Sequence, residues 1–214
     1  VSQVFDSLAE SYDRWYETPE GKAIFEAELK CLSPLRGQKT GHWLEVGTGT
    51  GRFARPLGIT RGIDPSTGML KFAAVRGIET LTGRAENLPF PDKSFDGVLM
   101  VMAFCFVSDS SQALKECRRV LHPGGSLLLG TVPADSPWGR AYTEKAAGGH
   151  PVYSLAHFKT AAEIQESARA NGFTLAEVSS TLFWKPGGKP RGQIRVERGI
   201  IKGAGFLGLL FTAQ

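Results

Sequence analysis

Cysteine is scarce in this chain. Cys31, Cys105 and Cys117 are the only three, an odd number with no C-x-x-C pair. That pattern excludes a disulfide framework and a cysteine-based metal site, so no metal is expected, and free thiols point to a reducing compartment. Long apolar runs are missing too: the most apolar stretch, Ala204 to Ala213, is far too short to span a bilayer. The opening residues Val1-Ser2-Gln3-Val4-Phe5-Asp6 have neither a basic n-region nor an apolar h-region. No signal peptide is therefore expected, and the chain reads as cytoplasmic. There is no internal repeat and no long low-complexity tract. What remains is 214 residues at 42% hydrophobic content, enough for a single α/β domain over 1–214 with its own core.

Acidic residues are sparse in one segment. Between 185 and 202, Lys185, Lys189, Arg191, Arg195, Arg198 and Lys202 stand against Glu197 alone. This local excess is larger than the net charge of +4 on the whole chain, so the basicity is a segment and not a coat. A solvated loop is the plain reading. Contact with an anionic substrate or nucleic acid is the sharper one.

Apolar spacing predicts helix over residues 5–32, interrupted at Pro19-Glu20-Gly21. Strands are expected at 42–46, 60–63, 79–82, 95–102, 126–132, 174–184 and 205–212. Ser66 reads as the cap of a helix through Met69, Leu70 and Ala73. Asp109-x-x-Gln112 and Thr160-x-x-Glu163 read as capping boxes, and a short helix is expected around Arg52 to Leu57. The continuous apolar run from Phe95 to Met102 suits a strand covered on both faces. This alternation predicts an α/β fold: a Rossmann-like, doubly wound, seven-stranded sheet, mostly parallel, with helices on both faces. No helix separates the last two strands, so they are expected as an antiparallel pair at one edge.

The densest signal is Trp43-Leu44-Glu45-Val46-Gly47-Thr48-Gly49-Thr50-Gly51-Arg52. A strand ends in an acid and runs into three alternating glycines, which let a ligand lie against the backbone. A dinucleotide loop reads G-x-G-x-x-G/A, and its third glycine would fall at Arg52. A Walker loop needs a Gly-Lys-Ser/Thr ending, which is absent. Glu45 would repel a pyrophosphate and attract a cation. Asp64, ending the second strand, can accept hydrogen bonds from two vicinal ribose hydroxyls. Together they suit a cationic nucleoside, S-adenosylmethionine.

Here the chain resembles the class I S-adenosylmethionine-dependent methyltransferases, of the type 11 kind, and among them the ubiquinone and menaquinone biosynthesis branch. The resemblance rests on Leu44–Gly51, Gly62-Ile63-Asp64-Pro65-Ser66, Gly83-Arg84-Ala85-Glu86-Asn87-Leu88-Pro89-Phe90, Phe95-Asp96-Gly97-Val98 and Leu121-His122-Pro123-Gly124-Gly125-Ser126-Leu127, in family order over about residues 42–132. It implies that Gly47, Thr48, Gly49 and Gly51 cradle the methionine tail and ribose, with Glu45 acting through that loop. It implies that Asp64 holds the ribose, Pro65 and Ser66 flank the adenine, Ala85 and Glu86 line its other edge, and Val101 and Met102 lie beside the tail and the sulfonium. The family often has an Asp where Arg84 stands, accepting the adenine N6 hydrogens. Arginine has no acceptor, so backbone near Ala85 or the Glu86 carboxylate must serve.

Methyl transfer from a sulfonium expels a neutral thioether, so the enzyme mainly supplies alignment and exclusion of water. The resemblance places substrate-covering insertions at 134–160 and 185–203, and a helical lid at 1–35 carrying Tyr12, Trp15 and Tyr16, with Tyr16 against the cofactor. His150, Tyr153 and His157 are the candidates for acid–base work, Trp138 and Tyr142 lie in the same insertion, and the bland alternative for each histidine is a loop or capping residue. Cys105 reads as a buried filler. The expected partner is a small methyl acceptor, anionic if the basic segment meets it. A nucleic-acid methyltransferase and a non-catalytic cofactor-binding protein are the alternatives, the former disfavoured because the fourth strand continues Met102-Ala103-Phe104-Cys105-Phe106 without a base-flipping motif.

Overall fold

The computed structural model describes residues 2–38, 40–190 and 192–214. In chain order they form α1 (Ser2–Trp15), α2 (Pro19–Arg36), β1 (Trp43–Val46), β2 (Arg61–Asp64), α3 (Thr67–Val75), β3 (Glu79–Thr82), β4 (Phe95–Val101), α4 (Ser110–Val120), β5 (Leu121–Thr131), α5 (Pro137–Ala147), α6 (Ala161–Ala170), β6 (Phe173–Thr181), β7 (Glu197–Arg198) and β8 (Phe206–Ala213), with 3₁₀ turns at Phe104–Phe106 and Tyr153–Leu155. The sheet order is β3-β2-β1-β4-β5-β8-β6-β7. From β3 to β5 the strands are parallel.

The doubly wound, mostly parallel sheet is as expected, with two corrections. The sheet has eight strands among the described residues, not seven, because the basic segment contributes the two-residue β7. The final strand is also not an edge strand. β8 inserts between β5 and β6, antiparallel to both, and β7 takes the edge. The reason lies in composition: Phe206, Leu207, Leu209 and Phe211 are all buried, and a strand this apolar would be a liability at an open edge.

Each face of the sheet has its own core. On one, Leu114, Cys117 and Val120 of α4 and Ile164 and Ala168 of α6 pack with Val98, Leu127 and Leu129. On the other, Ala27, Cys31, Leu32 and Leu35 of α2 pack with Leu99, Leu128 and Phe206. The close approach of α2 requires a missing side chain: a Cβ on Gly208 would stand 2.7 Å from Leu35 Cδ1. The lid expected over 1–35 therefore divides, for α2 is a core helix and only α1 lies outside the layers. The helix expected at Arg52 to Leu57 is instead a string of turns. Arg55 N–H reaches Gly51 O at 3.5 Å and Leu57 N–H reaches Phe53 O at 3.2 Å, but Pro56 has no N–H to continue the ladder.

The caps follow the sequence closely. Ser66 Oγ accepts from Met69 N–H at 3.2 Å, and Thr160 and Glu163 form a complete capping box. Asp109 caps α4 through Gln112 N–H at 2.9 Å, but the Gln112 amide donates to Glu86 O, so only half of that box is made.

Two charged clusters hold the loops that matter below. Leu88 N–H donates to Glu116 Oε2 at 2.7 Å, and Arg119, paired with Glu116, donates to the carbonyls of Leu88 and Phe90. This ties the 83–90 loop to α4. The second cluster pins α1. Asp6 Oδ1 accepts from Gly68 N–H and Ser66 Oγ, both at 2.7 Å, at the start of α3. Asp13 accepts from Arg52 Nε at 3.0 Å and from Arg76 at 2.9 Å, while Arg52 also meets Glu17 at 2.7 Å. Arg52, the residue that departs from a dinucleotide loop, thus clasps α1 to the glycine loop.

The Gly68 N–H, then Ser66, hold the Asp6 carboxyl below its ordinary range. Burial pushes Asp13 up, but Arg52 and Arg76 prevail and its pKa is lowered. Groups with lowered folded-state values hold the clasp above the ordinary carboxylate range and release it as pH falls through their own depressed values. Arg52→Ala should raise hydrogen exchange across α1 about tenfold, equivalent to ~1.4 kcal/mol, and leave β4 and β5 amides protected. Acidification should reproduce that local opening in the wild type before the sheet unfolds. Glu116→Ala should cost about 2 kcal/mol in denaturant unfolding, because it leaves the Leu88 N–H without its acceptor and removes one of the two carboxylates paired with a partly buried Arg119.

Candidate functional site

A cavity of about 520 Å³ opens at the carboxyl ends of β1, β2 and β4, the place where open α/β sheets receive ligands. Gly47, Gly49, Asp64 and Pro65 line it from the first two βα turns, Gly83 to Glu86 from the loop after β3, and Val101, Met102 and Ala103 from the end of β4. Across from them stand Tyr12 and Trp15 of α1, Tyr16 after it, Glu20, Ile24 and Glu28 of α2, Trp138, Tyr142 and Lys145 of α5, His150 to Tyr153, and Pro186 and Gly187.

The three loop glycines serve different needs. All have positive φ. A Cβ on Gly47 would lie 2.4 Å from the Ala103 Cβ, and one on Gly51 about 3.0 Å from Ala73, so both are packing requirements. A Cβ on Gly49 would meet nothing within 4 Å, so this glycine alone faces open space. Gly47 N–H and Thr48 N–H donate to Ile63 O at 2.8 and 3.1 Å. Gly49 N–H donates to Asp64 Oδ2 at 2.9 Å, and Asp64 Oδ1 accepts from Ser66 N–H at 2.8 Å. Each Asp64 oxygen thus accepts one backbone hydrogen bond and has capacity for a second, and the residue lines the cavity. Burial raises the Asp64 pKa, partly offset by those two N–H groups.

Glu45 lies behind the loop and not in the cavity wall. It is 2% exposed and accepts from Thr48 Oγ1 at 2.7 Å. Burial pushes its carboxyl up to about 8, against the opposing Thr48 hydrogen bond. Thr48, Gly51 and Ser66 likewise support the wall without lining it. Met102 holds a left-handed conformation, φ 51°, with its N–H on Gly130 O at 2.8 Å. Such a conformation at a non-glycine residue is strained and marks a position fixed by its surroundings. Nothing in the sequence pattern announced it.

After β3, the Glu86 carboxylate is already engaged. Its Oε1 accepts from Ser108 N–H at 2.9 Å, and Arg84 stands 3.6 Å from Oε2 while donating to Ser108 Oγ at 3.1 Å. Tyr153 stacks on Tyr142 with centroids 4.3 Å apart, and burial raises both phenols. His150 lines the cavity, yet its Nδ1 faces the N–H groups of Val152 and Tyr153 at 3.3 and 3.4 Å, a capping geometry. His157 lies off the cavity, its N–H donating to Cys105 O at 2.7 Å. Burial pushes the Cys105 thiol up to about 12, so it is no thiolate nucleophile at neutral pH.

The residue that motif reading missed is Glu28. It is 5% exposed, lines the cavity and carries a carboxyl that burial pushes up to about 8. A signal was present: Glu28 sits on the buried stripe of Ile24, Ala27, Cys31, Leu32 and Leu35, where an acid is out of place.

A protein-family comparison matches the methyltransferase domain to residues 44–129. A crystal structure from Thermotoga maritima, described as a SAM-dependent methyltransferase and possible histamine N-methyltransferase, superposes with a TM-score of 0.91, 36% identity and full coverage of both chains. An uncharacterised Mycobacterium tuberculosis protein is 39% identical over 206 residues, covering 96% of this chain and 72% of that one. A demethylmenaquinone methyltransferase of Listeria monocytogenes is 31% identical over 188 residues, 79% of each chain. With these relatives the chain belongs to the class I S-adenosylmethionine-dependent methyltransferases, enzymes whose cofactor is S-adenosylmethionine.

Proposed function

We propose that this methyltransferase acts on a small molecule bound within the same cavity as its cofactor. The observation that carries the reading is that cavity: one wall is the glycine loop and Asp64, and the other is built from Tyr12, Trp15, Tyr16, Trp138, Tyr142 and Tyr153. An apolar, aromatic wall with few polar groups suits a compact organic acceptor. The small-molecule names carried by the Listeria and Thermotoga relatives support the same class. A polyanionic acceptor draws little support. The basic segment supplies only Pro186 and Gly187 to the wall, Arg195 pairs with Glu197, Arg198 pairs with Glu177, and Arg191 lies outside the described residues.

The residues present fit the cofactor. Asp64 keeps two lone pairs for vicinal hydroxyls, and Gly49 leaves room for a ligand against its backbone. Since Glu86 is committed to Ser108, the reading gives the adenine edge to the backbone around Ala85. Pro65 flanks the base, with Ser66 behind it capping α3. Val101 and Met102 stand beside the reacting end, and Glu45 holds the loop from behind through the Thr48 hydroxyl. When bound, the cofactor supplies a methyl group on a sulfonium. Around it, Tyr16 and α1 exclude water, so α1 and not the whole of 1–35 is the lid.

Asp64→Ala should weaken S-adenosylhomocysteine binding about 10- to 100-fold in calorimetry, as expected for losing two hydrogen bonds to a charged acceptor. The wider reading is tested with methyl-labelled S-adenosylmethionine, offered to pools of small amines, phenols and quinols and, separately, to RNA and DNA. Label is expected in the small-molecule pools. Label in the polymers alone would overturn the reading, as would steeply salt-dependent binding of nucleic acid.

A further inference from the structure

Glu28 has no evident structural task. Among the described residues it makes no hydrogen bond and no ion pair, and burial is the sole cause acting on its carboxyl. A buried ionisable group without a partner costs stability, and a chain that keeps one keeps it for something other than folding. The carboxyl lines the cavity, and the groups that feel its charge there are Tyr12 of α1, Tyr16, Tyr142 of α5 and Tyr153. Phenols are weak donors and their rings attract cations. One cation already uses that property: Lys145 Nζ lies 5.8 Å from the centroids of both Tyr142 and Tyr153, and it makes no ion pair with Glu28. A carboxyl without a counter-charge, set among tyrosine rings, is a receptor for an organic cation.

We propose that Glu28 is the acceptor-binding carboxylate of this enzyme and that its ligand is a protonated amine on an apolar, aryl-sized body, held between that carboxylate and the tyrosine rings. This rests on the reading of the cavity as the site of a small acceptor, and it replaces the anionic acceptor that the basic segment suggested. An anionic acceptor would meet Glu28 as a like charge in a low-dielectric pocket. An amine instead supplies the missing counter-charge, and its binding draws the proton off a carboxyl that burial otherwise keeps neutral.

The test uses three probes of one skeleton: phenethylamine, 2-phenylethanol and phenylacetate. Each is titrated calorimetrically into the full chain saturated with S-adenosylhomocysteine, as wild type and as Glu28→Gln. In the wild type the amine should bind at least about tenfold more tightly than the alcohol, with the acid weakest. In Glu28→Gln the gap between amine and alcohol should close to within about twofold, with S-adenosylhomocysteine affinity also unchanged within about twofold. The unliganded variant should melt no lower than the wild type at pH 7, because an unpaired buried carboxyl has been removed.

The proposal is overturned if the alcohol or the acid matches the amine, if none of the three binds, or if the preference survives in Glu28→Gln. A tenfold or larger loss of S-adenosylhomocysteine affinity in Glu28→Gln would also overturn it, by assigning the carboxyl to the cofactor's own ammonium. Failure of the wild type to bind S-adenosylhomocysteine would instead strike at the reading beneath it. If Glu28→Gln does not fold, the wild-type ranking of the probes decides: a preference for the amine upholds the proposal and its absence overturns it.

Discussion

The Asp64 carboxylate is the constraint on which the site hangs. One oxygen receives the Gly49 N–H and the other the Ser66 N–H, so a single side chain joins the turn after β1 to the turn after β2. The second turn seats Ser66 as the cap of α3, and the start of α3 receives Asp6 from α1. The first turn leads to Arg52, which takes Asp13 from the other end of the same helix and Glu17 from the turn just beyond it. Both attachments of α1 therefore trace back to loops that Asp64 holds in register. A dinucleotide enzyme places a glycine where Arg52 stands and gains close helix packing. Here the regular helix after the loop is lost, and a clasp on the helix over the cavity is gained.

The acids of the site are arranged against their own solvation. Asp64, Glu45 and Glu28 are all raised by burial, and none has a basic side chain as a partner. Local donors compensate the first two: backbone N–H groups for Asp64 and the Thr48 hydroxyl for Glu45. Nothing compensates Glu28. Positive charge is nevertheless abundant in the chain, and it is used elsewhere, on Asp13 of α1, Glu116 of α4 and Glu79 and Glu197 of the edge strands. A cavity that excludes arginine and lysine partners from its buried acids is poised for cations brought by ligands.

Much of this was legible in the sequence. The glycine loop, the acid closing β2, the capping residues Ser66 and Thr160 and the parallel strands follow local rules, because each depends on neighbours within a few positions. The position of β8 does not. Its hydrophobicity is readable, but insertion between β5 and β6 is decided by which edge remains to be covered after the crossovers are made. The turns at 51–58 failed as a helix for a local reason, Pro56, that outweighs the apolar spacing. Arg52 was read for what it excludes, and its partners, Asp13 on α1 and Glu17 just after it, are 39 and 35 residues away. Glu28 was visible as an acid in an apolar stripe, yet only the fold shows that the stripe reaches a cavity.

The division between what was and was not legible follows from the chemistry. Methyl transfer from a sulfonium needs no acid for its leaving group, so selection for the reaction does not fix a catalytic dyad in the sequence. It fixes the residues that position the cofactor, and those are backbone-rich turns with a recognisable grammar. In the proposed reading the acceptor is defined instead by shape and by very few charges, on α1, α2, α5 and the 150–153 loop. These elements carry no common motif, because any packing that excludes water and presents the right charge will serve. In such an enzyme an unpaired buried carboxyl on the proposed acceptor wall carries more information about the substrate than any run of the sequence, because it is the group there whose burial no partner among the described residues offsets.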